Sequence, residues 1–136
     1  MVKLIMGLKG SGKTKQLVDL VKKAVAEEHG DVVCIERDKN LTYDIPYTAR
    51  LIHASEYGIK TNDLLRGFIS GLHAGNYDIC HVFIDNFYKL LDNCADDAVA
   101  DFLDWLNAFS EKESVNFTIS ATADPANVSD RIKKYF

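Results

Sequence analysis

Gly7, Leu8, Lys9, Gly10, Ser11, Gly12, Lys13 and Thr14 match the pattern G-x-x-x-x-G-K-[ST], and the residues around them supply the context that pattern requires. Val2 to Met6 is a short apolar run suited to a buried strand, and a helical period begins after Thr14. Strand, glycine loop and helix in that order make a phosphate loop. The sequence places Gly7, Gly10 and Gly12 where the backbone takes positive φ and its N–H groups meet phosphate oxygens without interference from Cβ. The first helical turn adds unpaired N–H donors and the positive end of the macrodipole. Lys13 brings a full charge to β and γ phosphates, and the Thr14 hydroxyl is a hard ligand for Mg²⁺. A nucleoside triphosphate is therefore the expected ligand, held by Gly7, Lys9, Gly10, Ser11, Gly12, Lys13, Thr14 and Lys15.

Outward from this loop, strand and helix patterns alternate to the end of the chain, as in a parallel sheet covered on both faces. Leu17, Leu20, Val21, Ala24 and Val25 recur at helical spacing, predicting a helix from Lys13 to about Glu28 with Gly30 at its C-cap. Val32 to Ile35 reads as a second strand, and a polar loop from Arg37 to Tyr47 leads to a weaker strand pattern over residues 50–54. Thr61 is placed to cap a helix running to near Gly75, followed by a strand from His81 to Ile84. A long helix carries Val99, Phe102, Leu103 and Leu106 inward and Asp97, Asp101 and Asp104 outward, the latter an ordinary solvated face. Val115 to Ile119 forms the last strand, and Asp124 with Pro125 opens a short C-terminal helix using Val128, Ile132 and Tyr135. The expected fold is a three-layer α/β/α sandwich with a mainly parallel sheet of about five strands, the first near its centre, in a single domain over residues 1–136.

Composition narrows the function classes. The chain has 136 residues, of which 47% are hydrophobic, enough for one core but not two. A formal charge of −4 argues against a generally basic, nucleic-acid-binding surface. Cys34, Cys80 and Cys94 are odd in number and widely spaced, so reduced thiols are expected and neither a disulfide framework nor a zinc site. With no leader pattern and no apolar run of spanning length, a cytoplasmic protein without membrane association is expected.

A triphosphate site with Mg²⁺ needs an acidic residue at the carboxyl end of a neighbouring strand. Val82, Phe83, Ile84 and Asp85 fit such a Walker B strand. The next residue is Asn86, an amide that positions water but takes no proton from it. Glu36, ending the second strand on the same carboxyl edge, is the candidate base, and reads equally as a solvated or ion-paired loop carboxylate beside Arg37. Arg131, Lys133 and Lys134 on the last helix are cations that a neighbouring subunit could offer to a phosphate, with favourable charge at a helix C-terminus the plainer reading. Arg37 and Arg50 are rivals for that role.

In the order of these features, residues 1 to 122 resemble the RecA-like group of P-loop ATPases. The resemblance rests on Gly7 to Thr14, on Glu36 where that family carries its water-activating glutamate, and on Val82 to Asp85 followed by a residue other than glutamate. It implies a P-loop NTPase fold, ATP and Mg²⁺ as ligands, Lys13 and Glu36 as catalytic residues, Thr14 and Asp85 at the metal, and a polar sensor among Asn86, Ser120 and Thr122. Separately from the resemblance, a homo-oligomer or protein partner would be a source of further charge, and the sequence discloses neither. The sequence is similar to the thymidine kinase fold as well, but Asn86 replaces that family's catalytic glutamate and its zinc cysteines have no counterpart. Guanine-specific GTPases would need N-K-x-D near the last strand, where Thr122, Ala123, Asp124 and Pro125 stand. The expectation is a Mg²⁺-dependent ATP-binding protein with slow ATPase activity. A non-hydrolysing ATP-sensing module is the alternative, and a nucleoside-type kinase the less favoured one.

Overall fold

The computed structural model describes residues 1–136. Five strands, β1 (Val2–Gly7), β2 (Asp31–Glu36), β3 (Arg50–His53), β4 (Ile79–Ile84) and β5 (Asn116–Thr122), form one sheet in the order β1-β5-β4-β2-β3, with every pairing parallel. Three α-helices lie between strands, α1 (Lys13–Glu27), α2 (Asn62–Gly75) and α3 (Asp96–Glu113), and the short α4 (Asp130–Lys133) follows β5.

Alternation along the strands sorts the side chains into two layers. Val33, Ile35, Val82, Ile84, Phe117 and Ile119 face one side and pack against Leu65 and Ile69 of α2, Phe102, Leu103 and Leu106 of α3, and Ile132 of α4. Val32, Cys34 and Phe83 face the other, against Leu17, Val18 and Val21 of α1 and Leu41 and Ile45 from the β2–β3 loop. The arrangement is a parallel α/β fold with helices on both faces, as the alternating pattern required. Leu17 and Val21 are fully buried, so the α1 stripe contributes roughly 1.5–3 kcal/mol for each such side chain.

The structure corrects four expectations. Strand β1 lies at the edge of the sheet and not near its centre. No further strand pairs with it; instead the Leu4 N–H donates to the Tyr135 carbonyl at 2.8 Å, so the C-terminal segment covers that edge. Gly30 does not cap α1, whose C-cap is Glu28; a Cβ at Gly30 would run into the Asp78 carbonyl, so the glycine permits close chain packing. The C-terminal helix is split into a 3-10 turn, Pro125–Asn127, and α4, because Val128 is extended and the Ser129 N–H is drawn to Asp96 Oδ2 at 2.9 Å. The acidic face of α3 is not merely solvated. Arg131 donates to Asp101 at 2.8 Å and Asp104 at 2.9 Å, and the Tyr135 hydroxyl to Asp104 at 2.6 Å. Arg131 is thereby spent within its own chain. Other boundaries fall within a few residues of expectation, and Thr61 caps α2 by accepting the Leu64 N–H.

No helix is long and apolar enough to cross a membrane.

Candidate functional site

Parity places the polar strand ends together. Counting along β2, β4 and β5, Glu36, Asp85, Ser120 and Thr122 share the α1 side with Cys34, Phe83 and Thr118, at the carboxyl edge where α1 begins. That edge is where open parallel sheets hold ligands.

Between β1 and α1 the chain turns through a loop in which Gly10 and Gly12 both take φ of +84°. Gly7 does not, contrary to expectation; a Cβ there would sit 2.5 Å from Ser11 Oγ, so a side chain at this position would require the Ser11 hydroxyl to turn away. Gly12 is the N-cap of α1 and has no side chain to cap it. The earliest helical bond runs from the Gln16 N–H to the Gly12 carbonyl at 3.0 Å, leaving the N–H groups of Lys13, Thr14 and Lys15 without intrahelical partners.

Lys13 is only 8% exposed. Its ammonium donates to the Leu8 carbonyl at 3.2 Å and takes part in none of the ion pairs of the molecule. A buried charge is ordinarily paired, because desolvation costs several kcal/mol per ion, on the order of what a good counter-charge returns. This one faces a cavity of about 660 Å³. Lys9, Lys15 and Lys89 line the same cavity, together with Gly10, Gly12, Thr14, Asn86 and Thr122, and no apolar side chain does. Four ammonium groups beside open helix N–H donors favour an anion.

Asp85, 4% exposed, does not itself line the cavity but touches a residue that does, accepting from Thr14 Oγ1 at 3.3 Å and from Ser120 Oγ at 2.6 Å. Ser120 is fully buried and also accepts the Asn86 N–H at 2.9 Å, so its hydroxyl serves Asp85 and the chain turn and does not line the cavity. Asn86 takes the left-handed conformation with φ of 52°, rare for a non-glycine residue. Its amide is held by Thr122 Oγ1 and by Asp85 Oδ2, each at 3.4 Å.

Glu36 sits beside Asp85, since the Asp85 N–H donates to the Ile35 carbonyl at 2.9 Å. Its carboxylate is buried and accepts the N–H groups of Asn40 at 2.9 Å and Leu41 at 3.1 Å, holding the start of the β2–β3 loop. His53 Nδ1 lies 3.4 Å from it, whereas Arg37 turns toward Asp38 instead. Burial raises the Glu36 pKa above the usual carboxylate range, partly offset by the N–H groups of Leu41 and Asn40. Glu36 does not line the cavity.

No group of three or more His, Cys, Asp or Glu side chains is arranged to hold a metal. The pairing of one hydroxyl and one carboxylate fits Mg²⁺, which takes one or two protein oxygens and completes its shell with water and phosphate. No protein-family model matches the chain, and no curated protein matches it. The site's own chemistry carries the functional reading. Two of its members escape the sequence pattern. Lys89 lies in a stretch with no recognisable motif, and the role of Ser120 as the partner of Asp85 follows only from strand order, because β5 inserts between β1 and β4.

Proposed function

We propose that the protein is a P-loop nucleotide-binding protein of RecA-like type that takes Mg·ATP and hydrolyses it slowly. The observation that carries this reading is Lys13, a residue only 8% exposed whose ammonium bonds one carbonyl and no carboxylate, at the open N-terminus of α1 and facing a cavity that three further lysines line. A triphosphate supplies the missing anion. Its β and γ oxygens accept from Lys13 and from the loop and helix N–H groups, while Lys9 and Lys15 add to the field. Thr14 and Asp85 would hold Mg²⁺, which when bound neutralises charge on the phosphate oxygens. Ser120 keeps Asp85 oriented for that task.

In hydrolysis a water oxygen bonds to the γ phosphorus as the bond to the β–γ bridging oxygen breaks, ADP leaving with the electron pair. The water's proton needs an acceptor. Glu36 is the carboxylate on this edge with a raised pKa, which suits proton acceptance, but its oxygens are turned to the loop N–H groups. Slow turnover follows. Asn86, in place of a proton-accepting side chain after Asp85, favours the second reading, a module that binds ATP and senses it without hydrolysis.

Phosphate release measured for the wild type, Lys13→Ala and Glu36→Gln separates these. A slow wild-type rate that both substitutions remove supports hydrolysis with Glu36 as base. A rate unaffected by Glu36→Gln takes Glu36 out of the mechanism, and a wild-type rate no faster than Lys13→Ala leaves binding alone.

A further inference from the structure

We propose that this site reads the polyphosphate chain of its ligand and not the base, with Lys89 as a fourth phosphate cation, so that inorganic tripolyphosphate binds about as well as ATP. The inference rests on the phosphate-binding reading above.

Small-molecule sites of roughly 300–1,000 Å³ are lined mostly by apolar and aromatic side chains, with a few polar groups fixing orientation. This cavity, about 660 Å³, has the reverse lining: glycine backbone, hydroxyls, one amide and four lysines. The three uncharged polar side chains of the lining bond within the protein. Asn86 has Oδ1 against Thr122 and Nδ2 against Asp85, and the Thr14 hydroxyl is turned to Asp85. What remains free is charge and backbone N–H. Lysine is a mobile point charge without the planar fork that enforces one ligand geometry, so it attracts any chain of phosphates.

Lys89 is placed there by the fold. After β4 the left-handed Asn86 turns the chain into a 3-10 turn, Phe87–Leu90, closed by the Lys89 N–H donating to the Asn86 carbonyl at 3.0 Å. Phe87 and Leu90 are both fully buried and anchor the turn in the core. Lys89 lies between these anchors, exposed, and lines the same cavity as the glycine loop. It forms no ion pair with any carboxylate.

Titration calorimetry of the full chain with Mg²⁺ and, in turn, tripolyphosphate, ATP, GTP and CTP tests this, repeated with Lys89→Ala. The expected result is four dissociation constants within about tenfold of one another, all weakened by a similar factor in Lys89→Ala. A nucleotide bound more than tenfold tighter than tripolyphosphate overturns the inference and leaves triphosphate binding in place. Heat from none of the four overturns both. Unchanged binding in Lys89→Ala removes Lys89 from the site.

Discussion

The α1 face of the sheet carries buried polar side chains at both ends, and the two ends are finished differently. At the amino end, His81 of β4 bonds Glu28 through Nδ1 at 2.9 Å and Thr118 of β5 through Nε2 at 2.8 Å. Both ring nitrogens are used, and the imidazole stacks on Phe83. At the carboxyl end, on the same two strands, Asp85 and Ser120 pair with each other, but Lys13 above them has only a carbonyl. A closed network is explained by folding alone. The ammonium of Lys13 is the one group of the two ends that the proposed ligand would satisfy.

Changing Lys13 should produce the largest effect. Lys13→Met is expected to weaken Mg·ATP binding on the order of 100-fold, the loss of a charge-assisted contact. The same variant is expected to leave the unliganded protein as stable as the wild type or more stable, because it deletes a buried charge lacking a counter-ion. Chemical denaturation with and without ATP measures both. A variant that unfolds readily without ligand would make Lys13 structural, like His81.

Ser120→Ala comes next. It removes the 2.6 Å partner of a buried carboxylate and is expected to cost about 1–3 kcal/mol, read from the denaturation midpoint. If stability is unchanged while ATP binding falls, Ser120 belongs to the ligand and not to Asp85.

The His81 end yields a pH signature. Burial lowers the His81 pKa below its ordinary 6.5, against the raising effect of Glu28. Between those two values the unfolded chain binds a proton that the folded chain refuses. Stability is therefore full above the unfolded value and is lost as pH falls through the folded one, with a slope of up to about 1.4 kcal/mol per pH unit. His81→Gln should flatten that slope without altering ATP binding.

The smallest effect belongs to the α3–α4 contact. Asp104 is held at about 2, first by the Tyr135 hydroxyl and then by Arg131. Its carboxylate stabilises the contact above the usual Asp range, and that contribution is lost as pH falls toward the lowered value. These groups are largely solvated, so Arg131→Ala is expected to leave global stability nearly unchanged and to loosen the C-terminal segment, detectable as faster amide exchange near Tyr135.

How much was legible in the sequence follows from the range of each signal. Periodicity is local, so α1, α2, α3 and the inner strands emerged within a few residues. Strand order is not local, and the edge position of β1 depends on β5 returning beside it from more than a hundred residues away. The same non-locality hid Ser120 from Asp85 and Arg131 from Asp101. The glycine loop is legible as a turn into a helix, but which glycines take positive φ is not, and Gly7 is not one of them. Glu36 is legible as a carboxylate on the carboxyl edge, but that its oxygens hold Asn40 and Leu41 depends on how the β2–β3 loop folds back, which the strand pattern does not encode.

The most direct measurement is the position of Lys13 Nζ in a crystal of the protein with Mg²⁺ and a nonhydrolysable ATP analogue. The account requires Nζ to leave the Leu8 carbonyl and lie about 2.7–3.2 Å from a phosphate oxygen, with the helix N–H groups on the same phosphates. An analogue bound elsewhere, or Lys13 still on Leu8 with no phosphate in reach, would contradict it.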